Sequence, residues 1–155
     1  MELERAEKIA REVIKQLSPY CSHIELCGSI RRKKPLVHDI DLVLIPSDPW
    51  NLHHEIMGLG QVRKSGSKIM QVMVGSTQVD IYIASEDTWA TLLLIRTGSA
   101  ENNRRLASLA KKRGWHLAAS GDGLFDQNGK RIAGDSEESI YRALNLQYQK
   151  PEERG

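Results

Sequence analysis

Three aspartates lie on two apolar segments of the sequence, where an ionised side chain needs a partner. Asp39 and Asp41 fall in residues 37–45 and Asp80 in residues 78–83, and both runs are rich in the β-branched and aliphatic residues that predict strands. Because side chains alternate along a strand, Asp39 and Asp41 are expected on one face. Neighbouring carboxylates in apolar surroundings repel each other and lose hydration, and a cation between them relieves both penalties. The pattern therefore predicts a metal site.

A phosphate-binding turn is predicted just before these acids. A strand at residues 22–27 ends at Gly28-Ser29, and two arginines follow. Glycine lets the backbone approach phosphate oxygens closely, and the Ser29 hydroxyl and nearby amides can donate hydrogen bonds to them. Arg32 can add a bidentate clamp that strengthens as a leaving group gains charge. Gly28, Ser29 and Arg32 are therefore candidate triphosphate ligands.

The acids and the turn together predict phosphoryl transfer. Three carboxylates can bind two Mg²⁺ or Mn²⁺ ions, because hard cations prefer oxygen ligands, and two metals about 4 Å apart support in-line displacement at phosphorus. Asp39 and Asp41 are the candidates to hold both ions, and Asp80 is the candidate to bridge toward the nucleophile. A Gly-Ser pair alone is usually only a turn, and an Asp-x-Asp alone is usually surface decoration. Their combination, with ten residues from Ser29 to Asp39 and a later strand-borne aspartate, favours a catalytic site.

The composition is that of an ordinary globular protein. The 155 residues are 40% hydrophobic and 27% charged, which suits one compact domain or two small lobes. The net charge of +2 is too weak to establish a nucleic-acid partner by itself. Two cysteines give neither a disulfide framework nor a zinc set, and neither a membrane span nor a secretory signal is recognisable. A cytoplasmic or nucleoid-associated protein that is not secreted is expected.

Residues 1–86 are predicted to form a first α+β lobe and residues 87–155 a second, smaller one. The first lobe is expected to contain a helix at 2–17, strands at 22–27 and 37–46, a helix from 49 capped by Asp48, and a hairpin of 69–74 with 78–84. The second is expected to contain a helix capped by Ser85, a helix at 100–113 capped by Ser99, a small sheet within 115–134, and a last helix opened by Asp135 and Glu138.

The motifs resemble those of a known superfamily. Gly28-Ser29-Ile30-Arg31-Arg32, His38-Asp39-Ile40-Asp41 and Val79-Asp80-Ile81 are similar to nucleotidyltransferases of the DNA polymerase beta type. Thr97-Gly98-Ser99, Asn103-Arg104, Asp135-Ser136-Glu137 and Pro151-Glu152-Glu153-Arg154 narrow the resemblance to the family X DNA polymerases. It covers nearly the whole chain and implies a palm at 1–86, with a mixed sheet and helices on one side, followed by a thumb at 87–155. It also implies template-directed transfer of deoxynucleotides to a primer 3′-hydroxyl, as in short-gap repair.

The resemblance assigns roles to further residues. Thr97, Gly98 and Ser99 would contact the sugar of the incoming deoxynucleoside triphosphate, and Asn103 would contact its base. His38 stands where glycine is common in the family and is expected to face solvent or a phosphate of the nucleotide rather than a metal. Arg104 would lie against the templating base. Salt-sensitive contacts to primer-template or gapped DNA are expected from Arg105, Lys64, Lys68 and Lys111. The protein is expected to act as a monomer.

The sequence departs from the family at two points. Members usually carry an aromatic pair before Thr-Gly-Ser, but Ile95-Arg96 stands there, so weaker exclusion of ribonucleotides is expected. Most members also have an N-terminal DNA-binding domain, whereas this sequence begins with the palm, so the two lobes are expected to grip DNA alone. Three alternatives remain. The protein could be a small nucleotidyltransferase that acts on RNA, a protein or a small molecule. It could also be a template-independent tailing enzyme or a non-catalytic DNA-binding subunit.

Overall fold

The computed structural model of the protein describes all 155 residues and contains a five-stranded sheet, a three-stranded sheet and six α-helices. The helices are α1 (Leu3–Leu17), α2 (Gly28–Arg31), α3 (Pro49–Met57), α4 (Trp89–Thr97), α5 (Ala100–Lys112) and α6 (Glu137–Ala143). The strands are β1 (Cys21–Leu26), β2 (Ile40–Pro46), β3 (Gln61–Ser65), β4 (Ile69–Val74), β5 (Thr77–Ile83), β6 (His116–Ala118), β7 (Gly123–Phe125) and β8 (Arg131–Ala133). The predicted α+β class is confirmed.

The larger sheet is mixed, with the strand order β1-β2-β5-β4-β3. Strands β2 and β5 are parallel, and every other neighbouring pair is antiparallel. A parallel pair needs a long connection, and α3 with the β3–β4 hairpin provides it. In the resulting register Asp41 lies directly opposite Asp80. Because paired residues on neighbouring strands point to the same face, the crossover returns Asp80 to the side of Asp41.

The two faces of β2 pack against different helices. Leu42 and Leu44 are fully buried in a core shared with α1 and α3. On the other face Val43 is buried against Leu92 of α4. Burial on both faces explains why β2 is an almost continuous apolar run. Asp41 is on the Val43 face, so the acid stands on the side of the sheet that meets the second lobe.

The second lobe has a core of its own. Leu106 of α5, Leu124 of β7, and Ile140 and Tyr141 of α6 are completely buried in one cluster. The three short strands form an antiparallel sheet in the order β6-β7-β8. The small sheet expected between residues 115 and 134 is therefore confirmed.

Two features of the larger sheet differ from the prediction. Strand β2 begins at Ile40, so Asp39 lies in the bend before the strand rather than on it. The sequence also gave no sign of β3, which pairs with β4 at the edge of the sheet. Only Val62 of this strand is turned inward, while the other residues of β3 are exposed. A hydrophobic pattern therefore could not reveal β3.

Two of the four predicted helix caps are confirmed. The Asp48 carboxylate accepts a hydrogen bond from the Asn51 backbone N–H at 3.3 Å and opens α3. The Ser99 hydroxyl accepts from the Asn102 backbone N–H at 3.2 Å and opens α5. Each satisfies one of the backbone donors that a helix start leaves unpaired.

The other two caps were wrong by one to three residues. Ser85 does not cap α4, because its backbone N–H donates to the Thr88 hydroxyl in a tight turn and the helix begins after Thr88. Asp135 does not cap α6, because Ser136 forms a reciprocal capping box with Ser139. Asp135 instead accepts a hydrogen bond from the Arg131 guanidinium at 2.8 Å.

A buried ion-pair network joins the two lobes at Glu137. Its carboxylate accepts hydrogen bonds from Arg31 of α2 at 2.7 and 2.8 Å and from Arg154 at 2.8 Å. Burial acts to raise the pKa of Glu137, but the hydrogen bond from Arg31 and the charges of both arginines hold it below its ordinary value. The Arg154 guanidinium also lies over the rings of Tyr141 and Tyr148. The network therefore connects the phosphate-turn helix to the C-terminal segment.

Replacement of Glu137 by alanine is expected to destabilise the protein by about 3–5 kcal/mol, because it leaves the buried guanidinium group of Arg154 and the half-buried one of Arg31 without their shared carboxylate. Urea unfolding measures the change. Glu138→Ala, one residue further on the same helix and exposed, is the matched control and is expected to change stability by less than about 0.5 kcal/mol. Equal stability of the two variants would contradict a stabilising role for the network.

Candidate active site

A cleft of about 570 Å³ lies between the lobes and contains most of the predicted site residues. From the first lobe it is lined by Gly28, Ser29, Arg32, His38, Asp39 and Asp41, and from the second lobe by Thr97, Gly98 and Asn103. It is also lined by residues that the sequence did not single out, namely Lys34, Pro35, Leu36 and Tyr82. Asp80 is the register partner of Asp41, and Ser99 follows Gly98 in the chain, but neither residue lines the cleft.

The turn at Gly28 holds the Asp41 carboxylate against the start of α2. Gly28 has φ +59°, in the left-handed region that favours glycine, and a Cβ atom there would overlap Oδ2 of Asp41. The backbone N–H of Cys27 donates to the Asp41 carbonyl at 2.8 Å and aligns the turn with β2. Glycine at position 28 is therefore required both by the backbone conformation and by the acid beside it.

The three predicted acids are neighbours, but they do not form a ready-made metal cage. Asp41 and Asp80 share one face of the β2–β5 pair, and Asp39 lies two residues before Asp41 at the edge of the cleft. As the side chains stand, no three His, Cys, Asp or Glu residues are close enough together to hold a metal ion. The predicted convergence is therefore partial: Asp41 and Asp80 are register partners, and Asp39 is exposed in the preceding bend.

The electrostatics of the acids suit a divalent cation. Burial raises the pKa of Asp41 to about 7, and the negative charges of Asp80 and Asp39 add to the shift, while Arg96 and Arg32 oppose it. Repulsion among carboxylates is the condition that a bound cation relieves. All three donors are hard oxygen ligands of the kind that Mg²⁺ and Mn²⁺ prefer. The donor set and its charge therefore fit these ions, although the exposed Asp39 side chain must turn to complete a site.

Asp80 is held by two amide side chains. The Gln71 Nε2 atom donates to Asp80 Oδ1 at 2.9 Å, and the Gln78 Nε2 atom lies 3.2 Å from each carboxylate oxygen. Asp80 is only 9% exposed. A buried carboxylate without partners would carry a large desolvation cost, and the amides reduce that cost without neutralising the charge.

The predicted sugar-contacting turn is fastened to the rest of the protein. Arg32 donates to the Thr97 carbonyl at 2.6 Å, and Arg31 donates to the Thr97 hydroxyl at 2.8 Å. The Ser99 hydroxyl donates to the Arg154 carbonyl at 2.7 Å while it caps α5. The Ser99 hydroxyl is therefore occupied by hydrogen bonds within the protein. Thr97 and Gly98 line the cleft.

Asn103 has one amide atom paired and one unpaired. Its Nδ2 atom donates to the Ile95 carbonyl at 2.8 Å, and its buried Oδ1 atom has no hydrogen-bond partner. An unpartnered buried acceptor is uncommon and costs free energy. Asn103 lines the cleft, and its Oδ1 atom has no hydrogen-bond partner within the chain.

Arg96 is a cleft residue whose position the sequence did not predict. Its guanidinium lies 4.2 Å from the centre of the Tyr82 ring, an arrangement typical of a cation–π contact. Tyr82 follows Asp80 by two residues on β5, so the ring and the acid share a face. That alternation was visible in the sequence and identifies Tyr82 as a site residue, whereas the stacking of Arg96 depends on how α4 packs.

The five predicted DNA-contacting residues are all exposed and lie outside the cleft. Arg104, Arg105 and Lys111 are on α5, Lys64 is on β3, and Lys68 is in the β3–β4 turn. None of the five has an ion-pair partner within the chain, and Arg105 donates hydrogen bonds to the Asn102 and Gln149 side chains. None of the helices is long and apolar enough to cross a membrane.

The larger mixed sheet followed by the smaller α+β lobe is a polymerase beta-like palm and thumb arrangement, and comparison with known proteins agrees with it. Residues 92–155 match the family described as DNA polymerase beta thumb. The chain is 27% identical over 157 residues to the DNA polymerase/3′-5′ exonuclease PolX of Bacillus subtilis (strain 168), covering 96% of this chain and 27% of that protein. It is 28% identical over 160 residues to DNA polymerase lambda of Rattus norvegicus, covering 83% of this chain and 28% of that protein.

The fold, the cleft and these matches show that the chain is similar to family X DNA polymerases. The identities are modest, and the chain spans little more than a quarter of the length of either relative.

Asp41→Asn is expected to stabilise the metal-free protein at pH 8 by about 2 kcal/mol but to have little effect at pH 5. The folded-state pKa of Asp41 is raised to about 7, so its stabilising contribution is complete below the ordinary pKa of the carboxyl and is lost as the pH rises through about 7. Asparagine does not ionise and avoids that loss, so the gain from Asp41→Asn is expected to grow by about 2 kcal/mol between pH 5 and pH 8.

Urea unfolding in EDTA at pH 5, 6, 7 and 8 measures this difference. Asp87→Asn, which changes an exposed carboxylate, is the matched control and is expected to show no such pH dependence. A pH-independent difference between wild type and Asp41→Asn would contradict the raised pKa.

Proposed function

We propose that this protein is a DNA-directed DNA polymerase that adds deoxynucleotides to a primer 3′-hydroxyl by two-metal phosphoryl transfer, in short-gap DNA repair. The observation that carries the proposal is the cleft in which Asp41, beside Asp80, faces a Gly28-Ser29 turn and residues of the second lobe. Primer-template or gapped DNA and deoxynucleoside triphosphates are the proposed substrates.

The triphosphate would lie against the turn before α2. The Gly28 backbone and the Ser29 hydroxyl, which line the cleft, would donate hydrogen bonds to its oxygens. Arg32 lines the same wall. Its guanidinium would stabilise the negative charge that grows on the departing pyrophosphate, the moment at which such stabilisation accelerates the reaction. Lys34 and His38 extend the polar wall beyond Arg32.

The carboxylates would hold two Mg²⁺ or Mn²⁺ ions. Asp39 and Asp41 would ligate both ions, and Asp80 would face the primer hydroxyl. When bound, the metals would lower the pKa of the attacking hydroxyl and screen the charge of the triphosphate. The contribution of the chain is to supply oxygen donors whose mutual repulsion, already felt at Asp41, favours cation binding.

The second lobe would bind the nucleotide and the template. The Thr97 and Gly98 backbone would meet the sugar, and the unpaired Oδ1 atom of Asn103 would accept a hydrogen bond from the base or sugar. Arg104 on α5 would lie against the templating base. Lys64 and Lys111 would contact DNA phosphates, which makes binding sensitive to salt.

Primer extension tests the proposal most directly. Gapped, recessed and single-stranded DNA are each supplied with one of the four deoxynucleotides and Mg²⁺. Template-directed addition of the complementary deoxynucleotide to gapped or recessed primers is expected. Addition to single-stranded DNA regardless of sequence would indicate tailing instead, and the absence of any addition would contradict a polymerase.

Asp80→Ala is expected to reduce primer extension by a factor on the order of 10³ or more, because the acid nearest the nucleophile is removed. Folding and binary DNA binding are expected to survive. Asp80→Asn, which keeps the shape of the side chain, is expected to be similarly inactive, and Asp87→Ala, which removes an exposed acid elsewhere, is the control. Full activity in either Asp80 variant would remove its catalytic role.

Ribonucleotides are expected to be incorporated more readily than by family members that carry an aromatic pair in place of Ile95-Arg96. The Arg96 side chain rests on Tyr82 at the rim of the cleft rather than presenting a ring to the sugar. The double variant Ile95→Tyr/Arg96→Phe is expected to raise discrimination against ribonucleotides at least about tenfold, as measured by the ratio of kcat/KM values. Unchanged discrimination would indicate that the backbone of Thr97 and Gly98 alone sets sugar choice.

A further inference from the structure

The Asp80 carboxylate accepts hydrogen bonds from two side-chain amides, one on strand β4 and one on strand β5. Gln71 is its register partner on β4, and Gln78 precedes it by two residues on β5, so all three side chains share one face. Gln71 donates to Oδ1 at 2.9 Å, and Gln78 lies 3.2 Å from both oxygens. The two amides therefore contact the carboxylate from the neighbouring strand and along its own strand.

These side chains belong to a row that crosses the sheet. Asp41 pairs with Asp80, Asp80 with Gln71, and Gln71 with Lys64 on β3. The row therefore has two acids at the cleft end, an amide in the middle and a cation at the exposed edge. Gln71 keeps the Lys64 charge one strand away from Asp80.

We propose that Gln71 and Gln78 are positioning residues that fix the orientation of the Asp80 carboxylate toward the divalent cation and the primer hydroxyl, an inference that rests on the function proposed above. An ionised carboxylate can accept about four hydrogen bonds, and these amides use up to three of those positions. The acceptor capacity that remains is what a metal or hydroxyl can use.

The neutrality of both donors is central to this role. An amide orients a carboxylate by hydrogen bonding without placing a positive charge beside the cation that the carboxylate must bind. An arginine or lysine at either position would orient Asp80 equally well but would repel that cation. Partners that hydrogen-bond to metal-ligating carboxylates typically change metal affinity or activity by about 10–100-fold when they are removed.

Binding of Mn²⁺ to the full chain without DNA, followed by electron paramagnetic resonance, tests the proposal apart from activity. Gln71→Met and Gln78→Met keep the side-chain length but remove the donors, and each is expected to weaken Mn²⁺ binding about five- to tenfold, the double variant more. Gln61→Met, on the same sheet but exposed, is the matched control and is expected to bind as wild type does. In primer extension the double variant is expected to lose at least about tenfold in kcat at saturating metal, with KM for the deoxynucleotide within about threefold of wild type.

The possible results separate the two proposals. Wild-type Mn²⁺ affinity and kcat in the double variant, with Asp80→Ala deficient in both, would overturn the positioning role. If the wild-type protein shows no nucleotide transfer, the proposed function fails, and the Mn²⁺ measurement alone still decides whether the amides orient Asp80. If the double variant does not fold, the two single variants, each checked by thermal unfolding, carry the same test.

Discussion

Repulsion between the carboxylates of Asp41 and Asp80 is the constraint around which the cleft is arranged. Parallel pairing of β2 with β5 places the two acids opposite each other, and the burial of Asp80 and partial burial of Asp41 reduce their hydration. Two neighbouring carboxylates with little hydration cost free energy unless positive charges or hydrogen-bond donors lie close to them. Near these acids the fold supplies amides at Asp80, arginines at the rim of the cleft and a glycine backbone against Asp41.

The crossover connection that places Asp80 opposite Asp41 also brings a hydrogen-bond donor to Asp80. A parallel pair cannot be joined by a tight turn, so the chain must travel through α3, β3 and β4 before it returns as β5. Strand β4 then lies next to β5 and brings Gln71 to Asp80. The same crossover therefore determines the strand order, the position of Asp80 and the position of Gln71.

Two consecutive arginines connect the phosphate turn to the second lobe in different ways. Arg31 points to Glu137 and forms part of the buried network that includes Arg154, whereas Arg32 lines the cleft and donates to the Thr97 carbonyl. Both arginines also fasten Thr97, so the wall proposed to hold the triphosphate and the turn proposed to hold the sugar are joined by direct hydrogen bonds. Substitution of either arginine would disturb both walls.

The sequence revealed those parts of the site that depend on local spacing. The turn at Gly28-Ser29, the strand position of Asp41 and the caps at Asp48 and Ser99 each depend on a few neighbouring residues, and they lie where they were predicted, whereas Asp39 lies in the bend before β2. The parts that escaped prediction depend on partners distant in the chain or on competition between nearby groups. Edge strand β3 pairs with β4 but turns only Val62 inward. Its sequence therefore shows no alternation of apolar and polar residues. Ser85 does not cap α4, because its backbone N–H donates to the hydroxyl of Thr88, three residues further on, in a tight turn.

The distribution of positive charge shows why the amides matter. Arg32 and Arg96 stand at the Asp41 side of the cleft, and both lower the pKa of that carboxyl against the effect of burial. No arginine or lysine forms an ion pair with Asp80, which is satisfied by Gln71 and Gln78. The two acids are therefore not equivalent: Asp41 has fixed cations nearby, whereas the hydrogen-bond partners of Asp80 are neutral amides. A divalent ion near Asp80 would compete with no ion-paired arginine or lysine there.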